Sequence, residues 1–142
     1  MSIMKTIKII LFVLGMLTIK LMNSNSQNVL TIEITGLRNN NGQILLQLMD
    51  ENKNNLKSVH GIIKENKCIM MLEDLKTSKY AFRYFHDENK NNKLDTKWLG
   101  IPVEGFGFSN NAKGTFGPPS FEKWIFDLKA NTAIKCNPTY YL

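Results

Sequence analysis

Residues 87–95 form a dense run of oxygen-bearing side chains: Asp87-Glu88-Asn89-Lys90-Asn91-Asn92-Lys93-Leu94-Asp95. Counted from Asp87, these oxygens fall at positions one, three, five and nine, the spacing of an EF-hand type calcium loop. A tight turn brings alternate side chains to one side, where a hard cation can meet several oxygens together. Asp87, Asn89, Asn91 and Asp95 would supply side-chain oxygens, and the carbonyl of Lys93 another. Asn92 stands where glycine is usual, and asparagine enters the left-handed region more readily than most side-chain-bearing residues. Position twelve is Trp98 instead of a bidentate glutamate, so Glu104 is the candidate for the missing carboxylate. With so few charges, such a loop would hold calcium weakly, with a Kd of roughly 10⁻⁴ to 10⁻³ M. The competing expectation is an Asx-rich turn whose side chains bond their own backbone without an ion.

Other reactive side chains are sparse. His60 and His86 are the only histidines, and neither a Gly-x-Ser-x-Gly turn nor a His-Glu-x-x-His pair occurs. His86 beside Asp87 could orient a proton transfer, and Asp95 with Glu104 could act as the carboxylate pair of a hydrolase acting on glycans. Neither arrangement is a complete catalytic constellation. Cys68 and Cys136 are the only cysteines; a disulfide and two buried free thiols both fit them, while a zinc site would need more ligands. Residues 98–120 are punctuated by glycine and proline and carry Trp98, Phe106, Phe108, Ser109, Asn110 and Phe116, the candidates for a ligand-contacting loop. The same aromatics could instead anchor the loop to the core.

These residues are positioned by short alternating segments. Leu30, Ile32 and Ile34 share one face, then Ile44, Leu46 and Leu48, with Asn39-Asn40-Asn41-Gly42 between them. That pattern predicts a hairpin of the first two strands. A third strand is expected over residues 58–64, a turn at Glu65-Asn66, and a fourth strand with Cys68, Met70 and Leu72 inward. Tyr80, Phe82 and Tyr84 mark the clearest strand; Trp124, Phe126 and Leu128 mark another, and Ile134 with Cys136 the last. Tyr80, just after a polar turn, suits a tyrosine corner. About seven short strands without a long amphipathic helix predict a single all-β domain built as a β-sandwich.

The run Tyr80-Ala81-Phe82-Arg83-Tyr84-Phe85-His86-Asp87-Glu88-Asn89, followed by Asn91 and Leu94-Asp95, resembles the signature of domain of unknown function 2141 (DUF2141). The segments Gly100-Ile101-Pro102-Val103-Glu104-Gly105-Phe106-Gly107-Phe108-Ser109-Asn110 and Pro119-Ser120-Phe121 extend the resemblance in the same order. It implies a small secreted bacterial protein with an immunoglobulin-like or prealbumin-like sandwich, and it carries no activity and no catalytic residue. Where that family often has Asn-Gly, this chain has Asn91-Asn92.

Export is also expected from the N-terminus. Lys5 and Lys8 precede an apolar run over residues 9–19, and Ser24 and Ser26 follow. This is the layout of a signal peptide over residues 1–26, its apolar run too short to span a bilayer. The remaining domain, residues 27–142, would be periplasmic or extracellular, with no stable membrane span after cleavage. Without Lys5, Lys8 and Lys20 the formal charge falls from +6 to +3. Its lysines are scattered, so no nucleic-acid partner is expected. The leading expectation is a binding module for a glycan, a peptide or an envelope protein, with calcium as the one candidate cofactor. A structural envelope component is the alternative.

Overall fold

The computed structural model describes residues 27–141, so the signal peptide expected over residues 1–26 lies outside them. Nine strands follow one another in this part of the chain: β1 (Asn28–Thr35), β2 (Gln43–Asp50), β3 (Asn55–Gly61), β4 (Ile63–Lys64), β5 (Lys67–Leu75), β6 (Ser78–Asp87), β7 (Phe106–Phe108), β8 (Phe126–Leu128) and β9 (Thr132–Cys136). They form two sheets, ordered β4-β5-β1-β9 and β3-β2-β6-β7, with β8 also paired to β6. All pairings are antiparallel except β1 with β9. Among the described residues only short 3₁₀ turns interrupt the strands, and no helix is long and apolar enough to cross a membrane.

The alternation of side chains explains the two layers. Leu30, Ile32 and Ile34 of β1 and Cys68, Met70 and Leu72 of β5 face Ile44, Leu46 and Leu48 of β2 and Tyr80, Phe82 and Tyr84 of β6 in one buried core. The strand expected over residues 58–64 is two strands in different sheets. The chain leaves one sheet at Gly61 and enters the other at Ile63. A Cβ on Gly61 would strike the Cys68 and Met70 sulfurs, so any side chain at this crossing would force those two to shift. The Glu65-Asn66 turn is as expected, with φ of 51° and 57°, the consecutive left-handed residues of a type I′ hairpin.

The expected β1–β2 hairpin does not form. β1 lies between β5 and β9, whereas β2 lies between β3 and β6. Residues 39–42 instead carry the chain from one sheet to the other, and their polar groups bond outward rather than across a tight turn. Asn40 Oδ1 accepts the Asn66 N–H at 2.6 Å, and the Asn41 carbonyl faces His86 Nε2 at 2.7 Å. Gly42, at φ +74°, lies so close to the end of β6 that a Cβ would overlap the Asp87 carbonyl. Asparagine and glycine tolerate left-handed backbone in a crossover as readily as in a hairpin, so composition alone does not distinguish them.

The two cysteines are free and buried. Both are register partners of Ile34, from opposite sides of β1. Two strand spacings, about 10 Å, separate their backbones, beyond the roughly 7 Å a disulfide can bridge. Burial pushes both thiols up to about 11, so they act as small apolar core groups. Tyr80 makes the corner bond, its hydroxyl donating to the Lys76 carbonyl at 2.9 Å. Trp124 departs from its expected face: its helical backbone breaks the alternation before β8. Its ring packs with Met49, Ala81 and Phe108 in a second cluster on the outer face of the β3-β2-β6-β7 sheet.

Candidate functional site

The candidate residues separate into two neighbouring regions at the end of β6. The first is the loop of residues 87–95. Asp87 is fully buried, and its Oδ1 accepts the Asn91 N–H at 3.0 Å. Its Oδ2 accepts the Asn92 N–H at 3.0 Å and the Gln43 side-chain amide at 2.9 Å. Asn89 and Asn91 each accept the N–H two residues on, and their amide groups donate to the two oxygens of Asp95 at 2.6 and 2.9 Å. Asn92 takes up the left-handed backbone expected of it, with φ 62°. The spacing therefore does bring Asp87, Asn89, Asn91 and Asp95 into one hydrogen-bonded loop.

Glu104 arrives at this loop from the following segment, as expected, and is buried. Its Oε1 accepts the Glu88 N–H at 2.8 Å and its Oε2 the Asp95 N–H at 3.0 Å. It thus clasps the two ends of the loop through backbone donors. The carbonyl of Lys93 is on this loop as well; among the described residues no group of three or more His, Cys, Asp or Glu side chains is gathered as metal ligands.

Behind the loop lies a polar network that includes residues with no sequence signal of their own. His86 is fully buried between the Tyr140 hydroxyl, 2.8 Å from Nδ1, and the Asn41 carbonyl, 2.7 Å from Nε2. A carbonyl only accepts, so Nε2 carries a proton and donates it to Asn41. Arg38 stacks on the Tyr140 ring, donates to the Val103 carbonyl at 3.1 Å and pairs with Glu88 at 2.5 Å. Burial works to raise the Glu88 carboxyl, but the Asn39 amide and the Arg38 guanidinium outweigh it and hold the group below the usual glutamate value. Burial is the main reason the Tyr140 phenol sits above its ordinary range.

The second region is a groove of about 630 Å³ between the outer face of the β3-β2-β6-β7 sheet and the long loop. Its floor includes Leu45, Gln47, Arg83 and Phe85, and the loop contributes Leu94, Pro102, Phe106 and Pro118 to its walls. Of the ligand-loop candidates, Phe106 and Phe108 line this groove. Trp98 and Phe116 project into solvent, 84% and 101% exposed, on the two segments whose neighbours Gly100 and Gly117 form its wall. Ser109 and Asn110 are not in the groove lining and are hydrogen-bonded within the chain. The Ser109 hydroxyl is buried, accepting the Phe82 N–H at 3.0 Å and donating to the Trp124 carbonyl at 2.6 Å. The Asn110 amide donates to the Lys123 and Ile125 carbonyls at 3.1 and 3.0 Å. Both peg the loop to the segment before β8.

Leu45, Gln47, Arg83 and Phe85 were absent from the sequence candidates, though a signal was present. Leu45 and Phe85 are large apolar residues on the outward phase of alternating strands, where solvent would favour polar ones.

No curated protein and no solved structure matches the chain. A family model described as "Uncharacterized protein conserved in bacteria (DUF2141)" does match, over residues 32–135. That stretch is more than half of the chain and takes in most of both sheets, the 87–95 loop, Glu104 and all of the groove lining but Tyr141, so the chain belongs to the DUF2141 family.

Proposed function

We propose that this protein is an exported binding module whose ligand lies in the groove over the outer face of the β3-β2-β6-β7 sheet. The groove itself carries the reading: about 630 Å³, within the range of roughly 300–1,000 Å³ usual for small-ligand sites, with a mainly apolar lining and a few polar groups. The lysine-rich start, short apolar run and small residues of positions 1–26 support export to the periplasm or the medium. An immunoglobulin-like or prealbumin-like sandwich belongs to the same reading, supported by the Tyr80 corner bond. The apolar lining favours a ligand with an apolar body over a glycan. It also sets this function apart from a purely structural envelope role, which needs no groove.

Calcium at residues 87–95 is the second part of the proposal. It is favoured by the convergence of the Asn89 and Asn91 side chains on Asp95. An ion there would turn these amide oxygens inward and rigidify the wall that begins at Leu94.

The groove is tested with Nile red, a neutral apolar dye. Its emission should rise and shift to the blue with the purified protein, and Leu45→Trp, which fills the floor, should abolish the change. No response from the parent protein, or an equal response from a folded Leu45→Trp variant, would remove the groove as the binding site.

A further inference from the structure

We infer that the groove is a site for an amphipathic monocarboxylate, its carboxylate held by Arg83 and its apolar body lying over Leu45, Phe85 and Phe106. The inference rests on the groove reading above and specifies its ligand class. Strand register lays the groove floor out as two rows across the sheet. Ser58, Gln47, Arg83 and Phe108 form one row, and His60, Leu45, Phe85 and Phe106 the next. The first row is polar up to Phe108; the second is apolar beyond His60.

Charge and hydrogen bonding single out the Arg83 corner. The lining contains Arg83 and His60 but no carboxylate. Neither ion pair among the described residues involves Arg83. Its Nε donates to Gln47 Oε1 at 2.8 Å, which orients the guanidinium and leaves the terminal N–H groups for another acceptor. Trp124 stacks on Phe108, the register partner of Arg83, at 4.2 Å between ring centroids. Its indole N–H is buried without an acceptor.

A carboxylate suits the corner because it accepts two parallel N–H groups from a guanidinium edge. One guanidinium balances one negative charge, whereas a phosphate dianion would call for more cations. A glycan would bring hydroxyls along its whole length, and Leu45, Phe85, Phe106, Leu94 and Pro102 have no side-chain group to pair with them. An apolar chain or ring leaves nothing unpaired there and removes apolar surface from water.

The test compares decanoate with decan-1-ol, which has the same chain length, by calorimetric titration of the purified protein below micellar concentrations. The parent should bind decanoate at least tenfold more tightly than decanol. Arg83→Gln should abolish that difference by weakening decanoate binding at least tenfold, and Arg83→Lys should fall between. Equal affinities in the parent, or decanoate binding unaffected by Arg83→Gln, would overturn the carboxylate assignment. If Nile red binds and neither decyl compound does, the monocarboxylate inference fails while the groove reading stands. If Nile red is also silent, both fall. Binding of an immobilised glycan without decanoate binding would overturn the inference in favour of a saccharide.

Discussion

The 87–95 loop and the groove lie side by side, joined by Gln43, whose amide donates to Asp87 and Asn92 while its carbonyl oxygen meets His60 on the groove side. Their polar groups are treated in opposite ways. In the loop, both oxygens of Asp87 and both of Glu104 accept hydrogen bonds from the chain itself. In the groove, the exposed Arg83 guanidinium has no carboxylate partner among the described residues. A buried polar group that is already satisfied maintains shape. An exposed charged group without a partner is still able to take one up. The denser cluster of acidic and amide side chains is thus the more internally satisfied of the two, and the sparser groove is the one proposed above as the ligand site.

The largest expected effect tests that contrast directly. Glu104→Ala would strand the backbone N–H groups of Glu88 and Asp95, and Asp87→Ala those of Asn91 and Asn92. Each should destabilise the fold by about 2–4 kcal/mol in urea denaturation, whereas Arg83→Ala should stay within about 0.5 kcal/mol. A large loss at Arg83 with little at Glu104 would reverse the comparison.

A smaller effect concerns the Arg38–Glu88 pair behind the loop. The folded-state pKa of Glu88 is depressed, so the pair's contribution is present above the unfolded glutamate value, about 4.3, and is lost as pH falls through the lower folded value. With Arg38 45% exposed on its side chain, solvent screening limits the contribution to about 1 kcal/mol or less. Glu88→Gln should accordingly lower stability at pH 7, and the difference between parent and variant should shrink as pH falls below the unfolded glutamate value. A difference that persists unchanged at pH 3 would locate the effect in packing.

Calcium is expected to have the smallest effect, because an ion must displace the Asn89 and Asn91 amides from Asp95. At a calcium concentration near the Kd, binding adds about 0.4 kcal/mol of stability. The melting temperature should rise slightly over its value in EDTA, and the rise should vanish in Asp95→Ala. Identical melts of the parent in both conditions would leave the loop as scaffold alone and sharpen its contrast with the groove.

Much of the loop was legible because its chemistry is local. Asp87, Asn89, Asn91 and Asp95 meet within a few residues of backbone, and Glu104 lies in the segment that must return across them. The structural bonds of Ser109 and Asn110 were not legible, for the converse reason. Their partners, Phe82 and the carbonyls of residues 123–125, are distant in sequence, and a polar side chain in a glycine-rich loop has the same appearance whether it faces a ligand or pins a turn.

Sequence alone determined the all-β class, the inward faces of β1, β2, β5 and β6, the turn at Glu65-Asn66 and the left-handed backbone at Asn92. Each depends on side-chain periodicity or on the conformational tolerance of single residues. Only the tertiary structure decided that β1 and β2 part into different sheets, that Cys68 and Cys136 flank Ile34 beyond bridging distance, and that Leu45, Arg83 and Phe85 share a groove floor. Alternation specifies which side chains point the same way. Which strand lies alongside is settled by the packing of both sheets together, and the groove exists only once that choice has been made.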